Sequence, residues 1–228
     1  MSRVINTWRD PYDEGFSTCR KKQIEIHPGL TVLVGCNGAG KTTLLHNIKS
    51  ELKEENIPVI SYDNMREGGT NAMSKSLFEN DFETAVAMRC SSEGERINIG
   101  LNDVAHKIGK FVATGKVYDR YASLAAAISG EKEKEITSNE RWILLDAVDS
   151  GLSIDNVIDL KKFFDLVLED SEQQDREVYI VISANEYELA SDTDCFDVMA
   201  GKYVTFTNYE EYKKFILRSR EKKEKRYK

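Results

Sequence analysis

The chain carries the glycine-rich stretch Gly35-Cys36-Asn37-Gly38-Ala39-Gly40-Lys41-Thr42 between an apolar run and a helical pattern. The apolar run, at 31–34, is rich in β-branched residues and predicts a buried strand. From Thr42 to Glu55, leucine and isoleucine recur at helical spacing. A strand, a GxxxxGK[ST] turn and a helix in this order are the context in which the motif binds phosphate. The stretch therefore predicts a nucleotide site at the end of a strand.

Each part of this motif has a chemical role. The glycines let the backbone wrap a phosphate with its N–H groups turned inward, and the start of the helix adds a partial positive charge. Lys41 is expected to reach the β- and γ-phosphates, and the Thr42 hydroxyl is expected to be a ligand of Mg²⁺. We therefore expect the chain to bind ATP together with Mg²⁺.

Further apolar runs alternate with helical patterns along the chain. Strands are predicted at 23–26, 59–62, 142–145, 178–182 and 203–206. Helices are predicted at 153–169 and after Asn208, which could cap the last one, and residues 71–101 show a weaker helical pattern. This alternation predicts an α/β fold, a P-loop NTPase with a mainly parallel sheet flanked by helices, in a single domain over 1–228.

Composition limits the classes of function. The chain has 228 residues, of which 40% are hydrophobic, which is enough for one sizeable core. Its net charge of −7 excludes a general polyanion binder. The four cysteines are scattered, which argues against a zinc site or a disulfide framework. With neither a signal-peptide pattern nor an apolar stretch long enough to span a bilayer, a cytoplasmic protein is expected.

A second apolar strand ends in a carboxylate. Residues 142–145 lead directly into Asp146, and nucleotides bind at the carboxyl ends of parallel strands. Asp146 is therefore a candidate to hold Mg²⁺ through water, opposite Thr42. Many core strands end in an acidic residue, so this pattern is weak when taken alone.

Three segments together resemble the ABC-type ATPases, a superfamily of transporter subunits, SMC-like and RecF-like repair ATPases and many phage and defence ATPases. Residues 37–45 resemble their phosphate loop, 144–153 their Walker B strand and D-loop, and 180–186 their switch strand. The order and spacing fit over roughly 24–200. The resemblance implies a head-to-tail homodimer that closes around two ATP molecules.

The family also has a signature loop, whose serine contacts the γ-phosphate held by the opposite subunit. Two stretches could supply it, 91–95 with Ser92 and 128–131 with Ser129. We prefer the first, because a helical pattern follows it, and this choice makes 109–140 a helical insertion. Residues 91–95 could also be an ordinary helix N-cap.

Two positions depart from the family pattern, and both concern hydrolysis. Ala147 stands where a glutamate usually orients the attacking water, and Asn185 stands where a histidine usually touches the γ-phosphate. Losing a general base typically costs ~10²–10⁴ in rate, so slow hydrolysis is predicted. Asp149 could substitute as the carboxylate or could cap the turn that follows it. In place of the family's Q-loop glutamine the chain has Asp63 or Asn64.

The C-terminal segment, 213–228, contains nine lysines and arginines and two glutamates. Such a segment could contact the phosphate backbone of DNA or RNA. It could equally be a solvated terminal helix.

Two functions fit this sequence best: a stand-alone ATP-gated ATPase acting on nucleic acid, or a nucleotide-dependent switch that docks a protein partner. A transporter subunit and a small-molecule P-loop kinase fit less well. The catalytic candidates are Lys41, Asp146, Asp149 and Asn185, and the metal candidates are Thr42 and Asp146. The residues expected to contact the nucleotide are Asn37, Gly38, Ala39, Gly40, Lys41, Thr42, Thr43 and Ser92.

Overall fold

Strands and helices alternate along the chain, as the apolar pattern predicts. The computed structural model describes residues 2–7, 21–64, 93–117 and 136–226. Within these ranges the strands are β1 (Arg3–Asn6), β2 (Gln23–Ile26), β3 (Gly29–Val34), β4 (Val59–Asp63), β5 (Glu140–Asp146), β6 (Glu177–Ser183), β7 (Asp194–Asp197) and β8 (Lys202–Val204). The helices are α1 (Lys41–Glu54), α2 (Glu93–Thr114), α3 (Ile154–Gln173), α4 (Tyr187–Ala190) and α5 (Tyr209–Arg226).

The main sheet of the described ranges has the strand order β4-β5-β6-β3-β7-β8. All neighbouring strands run parallel except β8, which is antiparallel to β7. Strand β6 therefore lies between β3, which leads into the glycine-rich loop, and β5, which ends in Asp146. Because parallel strands end at the same edge, the residues that follow these three strands lie side by side. The predicted α/β fold with a mainly parallel sheet is confirmed.

The sheet separates two apolar layers. Alternate side chains of a strand point to opposite faces, so Val32 packs on one side of β3 and Leu33 on the other. Helices α2 and α3 cover the first side, with Phe111 and Phe164 fully buried there, and α1 covers the second with Ile48. The antiparallel ribbon of β1 and β2 adds its isoleucines to the second layer.

The structure differs from the sequence prediction at strand β7, at the ends of the last strand and at the end of one helix. Strand β7, at Asp194–Asp197, was not predicted, because only two apolar residues separate its aspartates, yet both are buried beside β3. The predicted strand 203–206 is shorter and lies at Lys202–Val204. Helix α3 continues four residues beyond its predicted end, to Gln173.

The predicted insertion at 109–140 also needs a correction at its start. Helix α2 continues to Thr114, and Phe111 and Val112 are buried in the core. Residues 109–114 therefore belong to the packed helix, since their apolar side chains cover the sheet. Residues 118–135, and 71–92 of the weak helical pattern, lie outside the described residues, so the insertion itself stays a prediction. No helix in the described part of the chain is long and apolar enough to cross a membrane.

Candidate functional site

The glycine-rich loop connects the end of β3 to the start of α1. Gly35, Gly38 and Gly40 have φ values of 152°, 76° and 97°, a region that favours glycine. A side chain at Gly35 would bring its Cβ to 2.9 Å from the Cβ of Ala39, so the turn closes only around glycine. Among the described residues, no side chain caps α1 and none in its first turn is acidic. The first N–H groups of α1 are therefore left for an anion.

Lys41 folds back over this loop and reaches the end of β6. Its ammonium donates to the carbonyl of Gly35 at 2.9 Å and to Oδ1 of Asn185 at 3.3 Å. Burial lowers the pKa of Lys41, while the negative charges of Asp149 and Asp146 act in the opposite direction. A partly desolvated cation beside the uncapped start of a helix is an arrangement that an anionic ligand stabilises.

Asp146, the last residue of β5, is held by Ser183, the last residue of β6. The Ser183 hydroxyl donates to Oδ1 of Asp146 and accepts from the N–H of Ala147 at 2.8 Å. One hydroxyl thus fixes both the carboxylate and the start of the next turn. The sequence analysis missed Ser183. The signal that could have found it is its position at the end of a buried strand beside the predicted switch residue.

The turn after Asp146 is held from the neighbouring strand. Ala147 has a φ of 51°, which is uncommon for a residue with a Cβ, and its carbonyl accepts from the N–H of Ser150 at 3.0 Å. The side-chain amide of Asn64, directly after β4, donates to the carbonyls of Ala147 at 3.1 Å and of Ser150 at 2.9 Å. Asn64 therefore shapes this turn.

Asp149 connects the same turn to the segment after β6. It is only 4% exposed, and its Oδ2 accepts from the backbone N–H groups of Asn185 and Glu186, the latter at 2.7 Å. Its carboxylate thus bonds to the amides ahead of α4, and not to the turn that follows it. Oδ1 of Asp149 is buried and has no hydrogen-bond partner among the described residues. Within that part of the chain, this oxygen is an acceptor without a partner, and solvent does not reach it.

The C-terminal helix also reaches the site. Helix α5 begins where Asn208 accepts from the N–H of Glu211 at 3.0 Å, as the sequence predicts. Its residues line a cavity of about 680 Å³, together with the phosphate loop and the residues that follow β6. At one end of this cavity, the Lys223 ammonium donates to the carbonyl of Asn37 at 2.8 Å. Within the described part of the basic segment, Lys223 is therefore in contact with the phosphate loop.

The structure gathers most of the predicted residues at this edge of the sheet. Lys41, Asp146, Asp149 and Asn185 lie within one connected set of hydrogen bonds and charges. The nucleotide candidates on the loop and on the first turn of α1 are Asn37, Gly38, Ala39, Gly40, Thr42 and Thr43, of which Ala39 is buried and Gly40 is half-buried. Ser92 and the alternative Ser129 lie outside the described residues.

The metal candidates, Thr42 and Asp146, lie at the start of α1 and at the end of β5. In the described ranges, no group of three or more histidine, cysteine or acidic residues forms a metal centre. Mg²⁺ at a nucleotide does not need such a cluster, because waters and phosphate oxygens supply most of its ligands. The residue types present fit that kind of site.

The chain matches one family model and is similar in fold to solved structures. A family model described as an AAA domain matches residues 24–189. Similar solved structures include the ADP conformation of an ATP-binding cassette of an ABC transporter, at 14% identity and a TM-score of 0.45 over 96% of this chain and 98% of that chain. Another is a nucleotide-free ATP-binding cassette from an ABC transporter, at 15% identity and a TM-score of 0.40 over 96% of each chain. No curated protein matches the chain.

Proposed function

Because the chain belongs to the family of AAA domains, which are ATP-binding P-loop ATPase domains, we propose that it is an ABC-type ATPase that binds ATP with Mg²⁺ and hydrolyses it slowly. The observation that carries this proposal is the position of Lys41, whose ammonium bridges Gly35 and Asn185 above the loop. The ammonium of Lys41 and the surrounding backbone N–H groups are hydrogen-bond donors, and phosphate oxygens are the acceptors that suit them best.

Each residue then has a defined role. Lys41 neutralises charge on the β- and γ-phosphates, and loop amides between Asn37 and Thr43 hold the phosphate chain. The N–H of Ala39 is not one of them, because it donates to the carbonyl of Cys36 at 3.0 Å. Thr42 and Asp146 hold Mg²⁺, the latter through water, and Ser183 keeps the Asp146 carboxylate in place. Bound Mg²⁺ supplies charge neutralisation at the phosphate oxygens.

Slow hydrolysis follows from the residue after Asp146. Ala147 offers no side-chain acceptor to orient a water, which removes a contribution of ~10²–10⁴ to the rate. Asp149, two residues after Ala147, is the alternative carboxylate for this role. Its Oδ1 has no hydrogen-bond partner among the described residues. Asn185 takes the place of the switch histidine through its contact with Lys41.

Two substitutions test the hydrolysis proposal. Asp149→Asn keeps a carbonyl oxygen for the amides of Asn185 and Glu186, so the fold is retained while the base is removed. We expect its turnover to fall about 10²-fold with an ATP Kd near that of the wild type. Ala147→Glu is expected to raise turnover by at least ~10-fold. Unchanged turnover in Asp149→Asn would exclude Asp149 as the base, and Asp146→Asn serves as the inactive reference.

ATP-gated dimerisation is the second part of the proposal. Asn37 and Gly38 are exposed on the outer side of the loop, where Ser92 of another copy would complete the site. Light scattering of Asp149→Asn, which is expected to bind ATP like the wild type and to hydrolyse it more slowly, is expected to give twice the monomer mass with ATP and Mg²⁺. Lys41→Met, which lacks the phosphate contact, is expected to stay monomeric. A chain that remains monomeric with saturating ATP would refute the dimer.

The biological role has two candidates with different supports. The basic outer side of α5, with Lys214, Arg218 and Lys222 exposed, favours an ATPase acting on DNA or RNA. Ala147 and Asn185 favour a switch that binds ATP and docks a protein partner in the cytoplasm. Steady-state turnover with and without DNA separates them, because several-fold stimulation that disappears at high salt indicates the first. Tight ATP binding with no DNA effect indicates the second.

A further inference from the structure

We infer that helix α5 is part of the nucleotide-binding machinery and that Tyr212, Ser219 and Lys223 are its positioning residues. This inference rests on the ATP binding proposed above. The three side chains lie at spacings of seven and four, which places them on one face of a helix. Each forms a hydrogen bond with a backbone atom of the phosphate loop or of the segment after β6.

Ser219 holds the first half of the loop. It is 5% exposed, and its hydroxyl accepts from the N–H of Cys36 at 3.1 Å. The Ser219 hydroxyl also lies 3.3 Å from the sulfur of Met199, to which it can donate its proton. Both sides of the hydroxyl are therefore used, and its orientation is fixed. The contact anchors the peptide that directly follows Gly35.

Lys223 holds the next part of the loop. Its ammonium donates to the carbonyl of Asn37 at 2.8 Å and would lie 3.2 Å from a Cβ placed on Gly38. A carbonyl held from outside keeps the peptide that joins Asn37 to Gly38 in one orientation. The N–H of Gly38 belongs to that same peptide, so Lys223 sets its direction.

Tyr212 holds the opposite side of the site. It is 5% exposed, and its hydroxyl donates to the carbonyl of Asn185 at 2.8 Å. Burial raises the pKa of Tyr212, so the hydroxyl keeps its proton and stays a donor. The Asn185 side chain contacts Lys41 in turn. One helix face thus spans the loop and the candidate γ-phosphate contact.

This arrangement has a consequence for affinity. A loop whose peptides are already held loses less conformational freedom when the ligand binds, which strengthens binding. The coupling is reciprocal, so ATP must also stabilise the docked position of α5. Nucleotide state is thereby transmitted to the basic helix at the chain's C-terminal end.

The first test measures nucleotide affinity in the full-length protein. Ser219→Ala and Lys223→Met are each expected to raise the Kd for Mg²⁺–ATP about 5-fold, and the double variant about 25-fold, since each loses one hydrogen bond. The matched control is Lys222→Met, which removes an exposed ammonium next to Lys223 on the same helix. Its Kd should stay within about 2-fold of the wild type, and Lys223→Arg, which keeps a charged N–H donor for the carbonyl of Asn37, should retain most of the affinity.

Two further measurements distinguish the proposed role of these α5 residues in nucleotide binding from a role in folding alone. Tyr212→Phe is expected to weaken ATP several-fold more than ADP, because Asn185 is the proposed γ-phosphate contact, whereas Lys223→Met is expected to weaken both equally. Hydrogen exchange of the amides of 209–226 should slow at least several-fold on adding ATP and Mg²⁺. Lys41→Met should show no such protection.

The outcomes are distinguishable. If the wild type binds ATP and the Ser219 and Lys223 variants bind it equally well, the inference is overturned and the proposed function stands. ATP binding without slower exchange in 209–226 also overturns it. A wild-type chain that fails to bind ATP overturns both. The expected losses together with protection of α5 support the inference.

Discussion

The ammonium of Lys41 carries an energetic cost in the folded protein, which the proposed phosphate contact would offset. Burial lowers its pKa, so the unfolded chain holds this proton up to a higher pH than the folded chain does. Stability therefore rises with pH between the lowered folded pKa and the unfolded value of about 10.4. At neutral pH the folded, unliganded protein bears the full cost of a partly desolvated ammonium.

Replacing Lys41 by methionine tests this balance. We expect Lys41→Met to lose ATP affinity at least ~100-fold, while the unfolding temperature without nucleotide stays equal or rises by about 2–4 °C. Nucleotide titration and thermal unfolding followed by circular dichroism measure the two effects. Lys53→Met, at the exposed end of α1, should change neither. A large drop in unfolding temperature would mean that the Gly35 contact outweighs desolvation.

Ser183 makes the second prediction for a single residue. Without its hydroxyl, the Asp146 carboxylate loses its donor and the Ala147 N–H loses its acceptor. Groups that orient a metal-binding residue typically contribute 10–100-fold to metal affinity. We therefore expect Ser183→Ala to raise the Mg²⁺ concentration needed for half-maximal ATP binding by about 10-fold. Ser171→Ala removes a buried hydroxyl that donates to the carbonyl of Leu168 within α3 and should leave this Mg²⁺ requirement unchanged.

At the scale of elements, the sequence predicts those strands and helices whose apolar residues form a regular pattern. Strands β3, β5 and β6 were predicted because each is a continuous apolar run, and the glycine-rich loop follows from its spacing. Strand β7 was missed because its buried Cys195 and Phe196 are too few to form a pattern. The inner face of α5 was missed for a different reason. Its contacts are made by Ser219 and Lys223, and polar residues carry no periodic signal of burial.

The turn at 147–151 gives a prediction at this scale. The side chain of Asn64, which directly follows β4, forms two hydrogen bonds with this turn. Asn64→Ala removes both donors to the carbonyls of Ala147 and Ser150. We expect a loss of about 1–2 kcal/mol in the free energy of unfolding, measured by urea denaturation. Turnover should fall more than ATP affinity, since the turn carries Asp149. Asn102→Ala, exposed on α2, is the control, and equal stability of the two variants would contradict this role.

At the scale of the whole molecule, strand order makes the site. Strand β6 lies between β3 and β5, so Ser183 and Asn185 reach Asp146 on one side and Lys41 on the other. The spacing of these residues in the sequence does not predict the contacts, because β3 lies more than a hundred residues before β5, and 30 residues separate β5 from β6. The site therefore forms only when the whole sheet is folded, and a ligand that binds there must raise the free energy of unfolding of the domain.

This coupling gives a prediction for the intact chain. A ligand that binds only the folded state, at 100 times its Kd, stabilises it by about 2.7 kcal/mol. For a domain of this size we expect ATP with Mg²⁺ to raise the unfolding temperature by about 5–10 °C. Chelating Mg²⁺ should reduce that shift by at least about half, because Thr42 and Asp146 then contribute no metal contact. An equal shift in Lys41→Met would show that ATP stabilises the protein at another place.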